Sequence, residues 1–138
     1  MAHYKTLLDP SKGLGAQDFP VEREVTISRV TREKLPVRDG EPEQLAPMMY
    51  VLAKDGSEYP KAYKVPKGVM YGLSLALGTD ADAWKGQHIG MFAAKCLSFG
   101  EVEECLRLRF SAEVDAKIRK WFKKRKKDPS MYMIKDTP

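Results

Sequence analysis

The spacing of apolar residues changes twice along this chain, and those changes limit its fold more than any other feature. Residues 21–32 and 88–110 alternate apolar and polar side chains, the pattern of strands with one buried face. Between them, residues 66–78 carry apolar side chains at helical spacing. The sequence therefore predicts a mainly β chain with one helix inserted between strands.

Five strands are predicted from alternation and turn chemistry. In the first strand the alternation slips between Ile27 and Val30, as it does across a β-bulge. The second and third strands are joined by Asp55-Gly56, a hairpin turn pair. The predicted strands cover residues 21–32, 48–53, 58–65, 88–99 and 102–110.

Two helices are predicted. The first covers residues 67–78, where Gly72 lowers helix propensity by about 1 kcal/mol unless close packing needs its missing side chain. The second begins near Ser111, a good N-cap that is followed by Glu113 and Asp115 in the first turn.

Three strands, a helix, two strands and a C-terminal helix follow the order of an OB-fold, a five-stranded barrel. We therefore expect an OB-fold-like barrel over residues 21–110, with its helix between strands three and four. An irregular lead-in at residues 1–20 precedes the barrel, and a basic helix and tail at residues 111–138 follow it. Such barrels commonly bind oligonucleotides, although a fold does not by itself imply an activity.

Positive charge is concentrated in one short segment. Eight cationic residues lie within eleven positions, with no acidic residue among them. The other 16 basic residues stand against 19 acidic ones, so the rest of the chain carries about −3 while the whole carries +5. This segment predicts an anion-binding surface, for nucleic acid first and for an acidic protein or anionic membrane next. Its cations are Lys117, Arg119, Lys120, Lys123, Lys124, Arg125, Lys126 and Lys127.

Aromatic and basic side chains on the strands are further candidates for nucleic-acid contact. Tyr59, Lys61 and Tyr63 share one strand face, and such a stripe can stack bases and pair phosphates. Arg107 and Arg109 are expected to point outward, towards solvent or a ligand. Because tryptophans beside strand entries commonly fill barrel ends, Trp84 is predicted to be structural.

Two segments, residues 77–86 and 106–110, resemble segments of known proteins. The series Leu-Gly-Thr-Asp-Ala-Asp-Ala-Trp-Lys-Gly, followed by a strand, a glycine turn and Leu-Arg-Leu-Arg-Phe, resembles small bacteriophage and prophage proteins encoded near recombination and replication genes. The resemblance covers about residues 48–110. It implies an OB-fold and single-stranded DNA binding, but it transfers no binding residue. The Asn-rich helix entry of that family is replaced here by Val-Pro-Lys-Gly at residues 65–68.

Catalytic, metal-binding and cofactor-binding motifs are missing from the sequence. The only histidines, His3 and His88, have no partner at ligand or catalytic spacing, and no phosphate loop or nucleophile motif occurs. Cys96 and Cys105 are expected to be reduced thiols on neighbouring strands. The sequence therefore predicts a protein that is not an enzyme and uses no cofactor.

The expected compartment is the cytoplasm of a bacterial host cell. No run of 18 apolar residues occurs, so neither secretion nor membrane insertion is predicted. The cysteine usage fits a reducing compartment.

Two functional hypotheses remain open at this point. The first is non-catalytic binding of single-stranded DNA, or RNA, in phage replication or recombination. The second is a phage-type interaction or inhibitor protein that binds a host protein through the basic helix and the apolar tail. The apolar residues 131–134 fit two roles, pairing with a sheet edge or forming a homodimer.

Overall fold

One antiparallel sheet of five strands lies at the centre of the structure, a computed structural model that describes residues 13–35, 40 and 44–134. The strands are ordered β3-β2-β1-β4-β5, and all neighbours are antiparallel. The predicted mainly β class with five strands is confirmed. The strands are Arg23–Leu35 (β1), Gln44–Leu52 (β2), Tyr63–Lys64 (β3), His88–Ser98 (β4) and Glu101–Leu108 (β5).

Two α-helices accompany the sheet, Lys67–Leu77 (α1) and Ala112–Lys124 (α2). The helix predicted between strands three and four is confirmed. Ser111 is the N-cap of α2, and its Oγ accepts a hydrogen bond from the Val114 N–H at 3.2 Å, as its residue type predicts. Parts of the predicted lead-in and tail, residues 1–12 and 135–138, lie outside the described residues.

A β-bulge lies in β1, which pairs with two neighbouring strands. The register shifts between Ile27 and Arg29, at the predicted slip in alternation. Residues 23–26 of β1 pair with β4, whereas residues 26–35 pair with β2. The bulge therefore joins the two halves of the sheet through one bent strand.

The sheet is open, so the predicted closed barrel is not confirmed. Strands β3 and β5 are its edges, and no backbone ladder joins them in the described part of the chain. Instead, the Tyr63 hydroxyl donates to the Leu106 carbonyl at 2.8 Å, so one side chain links the two edges. Strand β3 is shorter than predicted, because only a single bridge at Glu58 precedes Pro60, which has no N–H to donate.

The core lies between the inner face of the sheet and the two helices. Strand residues such as Ile27 and Met49 meet Leu73 of α1 and Ile118 of α2, and all four are at most 1% exposed. Phe19, from the segment before β1, is also fully buried there. The helices are thus held to the sheet by apolar packing.

Helices α1 and α2 approach closely at Gly72. A Cβ built there would lie 2.6 Å from Ile118 Cδ1 and 2.7 Å from a ring carbon of Phe110. Gly68 has the same role one turn earlier, because its Cβ would lie 2.5 Å from the Phe122 ring. The helix therefore carries glycine where the packing needs a missing side chain.

Replacing Gly72 with Ala is expected to destabilise the fold by about 1–3 kcal/mol, the usual cost of overpacking a core. Helix propensity alone would stabilise the variant by about 1 kcal/mol, so the sign of the change separates the two effects. Urea denaturation followed by circular dichroism measures the change. Ala76→Gly, at an exposed position of the same helix, calibrates propensity alone. A more stable Gly72→Ala variant would contradict the close approach.

Candidate nucleic-acid interface

The predicted aromatic stripe on the third strand is not a stacking surface. Tyr59 is partly buried and stacks on Phe19, with ring centroids 5.3 Å apart. Lys61 Nζ lies 3.8 Å from an Asp18 carboxylate oxygen. Tyr63 is only 3% exposed, so its predicted role in stacking bases is wrong. Strand alternation places these three residues on one face of the strand, but that face is buried in the core at Tyr63.

Burial raises the pKa of Tyr63 to about 12. The Tyr63 hydroxyl is neutral in the folded protein, and its pKa is higher there than in the unfolded chain. Its contribution to stability is therefore complete below pH 10 and is lost as the pH rises towards 12. We expect the free energy of unfolding to fall by about 3 kcal/mol over that window from Tyr63 alone. Urea titrations from pH 8 to 12 measure it. Equal slopes for the parent and Tyr63→Phe would contradict this assignment.

Arg107 is buried, so its predicted outward orientation is wrong. The side chain is 8% exposed, and its Nε donates to the Tyr132 carbonyl at 2.6 Å. Its two terminal nitrogens donate to the carbonyls of Leu106, at 2.9 Å, and Met131, at 3.3 Å. Arg107 therefore fixes the C-terminal segment on the sheet.

Arg109 is exposed as predicted, but its guanidinium is already engaged. It lies 2.7 Å from a Glu22 carboxylate oxygen and 4.0 Å above the Phe92 ring. A phosphate would have to compete with the Glu22 carboxylate here. Arg109 is therefore not part of the candidate interface.

Trp84 is structural, as predicted. It is 2% exposed and belongs to the main core. Its indole N–H donates to the Gly78 carbonyl at 2.8 Å. The ring is therefore unavailable to a base.

The two cysteines are free thiols on neighbouring strands, as predicted. Burial, together with a hydrogen bond involving Cys96, raises the pKa of Cys105 to about 12. The Cys105 thiol is therefore poorly suited to nucleophilic chemistry near neutral pH. Within residues 13–35 and 44–134, no three His, Cys, Asp or Glu side chains are grouped so as to hold a metal ion.

The basic segment lies on α2 and on the turn that follows it. The helix buries Ile118 and Phe122 against the core and exposes most of its cations. Two cations of the segment are compensated by acidic residues. These acids lie on the same helix, before the segment begins. Lys117 Nζ lies 3.4 Å from a Glu113 oxygen, and an Arg119 nitrogen lies 3.9 Å from an Asp115 oxygen.

The remaining cations form what we call the basic end. Its lysines are exposed, and none makes an ion pair with any residue that the structure describes. Arg125 is exposed and lies 3.9 Å above the Trp121 ring. Cations at a helix C-terminus are favoured by the helix dipole, which helps to hold them together. The basic end consists of Lys120, Lys123, Lys124, Arg125, Lys126 and Lys127.

The apolar tail pairs with a sheet edge of its own chain. Ile134 N–H donates to the Lys95 carbonyl at 2.8 Å, beyond the point where β1 leaves β4. Tyr132 is 1% exposed, and its hydroxyl donates to Asp115 at 2.5 Å. Of the two predicted roles, the structure supports edge pairing, and these groups are occupied rather than free for a homodimer.

A cleft lies beside the basic end, between the start of α1, the end of α2 and the tail. Its volume is about 280 Å³, and its aromatic lining comes from Trp121, Phe122 and Tyr132. Lys67 and Lys127, both exposed, also line it. Aromatic walls and ammonium groups therefore meet in one concave surface.

Sequence reasoning missed this cleft. Lys67 stands 60 positions before Lys127, and only the packing of α1 on α2 brings them together. Trp121 gives no separate signal in the sequence, because its helical spacing from Ile118 is typical of a face that packs on a core. The glycines at 68 and 72, which permit the close approach, were the one available signal.

Comparisons of the chain with protein-family models, curated protein sequences and solved structures found no match. The resemblance to phage proteins therefore stays a prediction. Among the described helices, none is both long and apolar enough to cross a membrane.

Proposed function

We propose that this protein binds single-stranded DNA, or RNA, without catalysis, through the basic end and the adjoining cleft. The observation that carries the proposal is a set of exposed lysines on α2 and the turn after it that make no ion pair with any described residue, on a helix fixed by its apolar face. The lysines are Lys120, Lys123, Lys124, Lys126 and Lys127.

Electrostatics favours a polyanion at this surface. Like charges held close together at the end of α2 and on the turn after it repel each other, and a chain of phosphates relieves that repulsion while releasing its counterions. The packing of Ile118 and Phe122 orders the helix before binding, so little backbone entropy is lost on association.

The cleft favours a single strand over a duplex. Bases stacked inside a duplex cannot enter a cavity of about 280 Å³, whereas an unstacked base can insert its ring. Trp121, which is half-buried, is the aromatic residue of the cleft against which such a ring would lie. Aromatic stacking of this kind contributes about 1–3 kcal/mol per base.

The architecture supports the same proposal by analogy. The order of the elements, with α1 between β3 and β4, is also the order expected of an OB-fold, a class of barrel that commonly holds oligonucleotides. The resemblance to phage replication and recombination proteins suggests a role in those processes, in the cytoplasm of a bacterial host.

A host-protein partner is the second candidate, because an acidic protein surface would meet the same lysines. The tail that this hypothesis requires is largely occupied, and among residues 131–134 the strongly exposed apolar side chain is that of Met131, at 41%. We therefore favour nucleic acid.

Intrinsic fluorescence tests the proposal, because the chain has only two tryptophans and Trp84 is buried. We expect a dT oligomer of about 30 nucleotides to quench Trp121 and to bind more tightly than a duplex of equal length. Trp84→Phe should keep the quenching.

Poly-glutamate of matched charge separates the two candidates. It carries the anions without the bases, so it should bind more weakly and leave Trp121 unquenched. Equal binding of poly-glutamate and the dT oligomer, or no oligomer binding at low salt, would favour the protein-partner hypothesis.

A further inference from the structure

An aromatic side chain stands fully exposed at the tip of the β4–β5 hairpin. Phe99 is 104% exposed, more than in an open reference peptide, so it has no packing role in its own chain. Its φ is 49°, and the φ of Gly100 is 80°. A two-residue turn with both residues in the left-handed region favours Asn-Gly. Phenylalanine is therefore unfavourable in this turn, and its presence there indicates a functional role.

The surroundings of Phe99 make nucleic acid an unsuitable partner for it. Val102 is 60% exposed beside it, and three exposed glutamates follow the turn. These carboxylates make no ion pair within the described part of the chain and would repel phosphates. We call this surface the acidic tip; it consists of Phe99, Glu101, Val102, Glu103 and Glu104.

The same molecule carries a surface with the complementary properties. The lysines of the basic end make no ion pair with the residues that the structure describes, and the cleft beside them is lined by aromatic side chains. Met131, 41% exposed, adds apolar area at that cleft. No ion pair joins the glutamates of the acidic tip to these lysines within one described chain.

We propose that the acidic tip of one copy docks on the basic end of a second copy, with the Phe99 ring in the aromatic cleft and the glutamates on the surrounding lysines. The two surfaces differ, so the contact is head-to-tail and can continue from copy to copy. Oppositely charged patches around an aromatic anchor are the usual basis of such specificity. The proposal uses the basic end as a surface and does not require nucleic-acid binding; an oligonucleotide would compete for it.

Sedimentation velocity of the full chain without nucleic acid tests the proposal. The parent should associate with increasing concentration at low salt and dissociate at high salt. Phe99→Asn should weaken association by at least about tenfold, as for an interface anchor. The variant should melt at or above the parent temperature, since Asn-Gly suits the turn. It should also bind the oligonucleotide at least as tightly as the parent, because loss of docking leaves the basic end open, so failure here is distinct from failure of the proposed function.

Mixing two variants tests the head-to-tail geometry. Phe99→Asn removes the tip, and the combined changes Lys123→Gln, Lys124→Gln, Lys126→Gln and Lys127→Gln remove the basic end. Each variant alone should be monomeric, whereas an equimolar mixture should form a dimer limited to one copy of each. A parent that is monomeric at every concentration, a Phe99→Asn variant that associates like the parent, or a mixture that stays monomeric would overturn the proposal.

Discussion

Replacing Lys123, Lys124, Lys126 and Lys127 together with Gln is expected to lower the affinity for a single-stranded oligonucleotide by roughly two to three powers of ten near 0.1 M salt. Each phosphate contact on a single strand contributes about 0.7 to the slope of log affinity against log salt, so four contacts account for that loss. Fluorescence anisotropy with a labelled dT oligomer measures it. The apolar face of α2 is untouched, so the variant should keep the melting temperature of the parent.

A second quadruple variant controls for net charge. It removes four exposed lysines spread over the rest of the chain, so both variants lower the formal charge from +5 to +1. We expect the control to lose much less affinity, because only local cations neutralise bound phosphates. An equal loss in both variants would mean that net charge, and not the basic end, determines binding. The control replaces Lys54, Lys64, Lys85 and Lys95 with Gln.

Trp84→Ala is expected to lower the free energy of unfolding by about 3–5 kcal/mol. The ring is 2% exposed, so its removal leaves a cavity in the main core. The change also removes the hydrogen bond to the Gly78 carbonyl. Urea denaturation followed by circular dichroism gives the value.

Phe99→Ala is the matched control for Trp84→Ala. It also removes an aromatic ring, but from a fully exposed position, so stability should change by no more than about 0.5 kcal/mol. If Trp84→Ala were as stable as the parent while oligonucleotide binding collapsed, Trp84 would be the stacking residue and Trp121 would not.

Local signals in the sequence were sufficient for the order of the elements. The slip in alternation near Ile27 marks the bulge, because a side chain must change faces where a residue is inserted. Ser111 predicts the start of α2, because capping depends on one side chain and the next three residues. Gly72 gave the close helix approach, since glycine inside a helix needs a packing reason.

Which face of a strand points inward could not be read from alternation. Alternation assigns Tyr63 and Arg107 each to one face of a strand. Whether that face is buried or exposed depends on residues that are distant in the sequence. Tyr63 meets Leu106 across the open side of the sheet, and Arg107 is covered by the tail at Tyr132. Both side chains can be buried because their polar groups donate hydrogen bonds to backbone carbonyls.

The candidate site was predictable only as charge. The run of cations is visible in the sequence, whereas the compensation of Lys117 and Arg119 needs helical spacing to acids that precede it. The cleft needs two helices in contact and is invisible to any one segment. This explains why the predicted aromatic stripe failed while the basic helix remains the centre of the proposal.

The dependence of oligonucleotide affinity on salt tests the central claim most directly. The dissociation constant of the parent for a labelled dT oligomer of about 30 nucleotides is measured at several salt concentrations between about 50 and 300 mM. Five lysines in contact with phosphates predict a straight line of log affinity against log salt with a slope of about −3 to −4. Affinity that does not change with salt, or no binding at about 50 mM, would contradict single-strand binding by this surface.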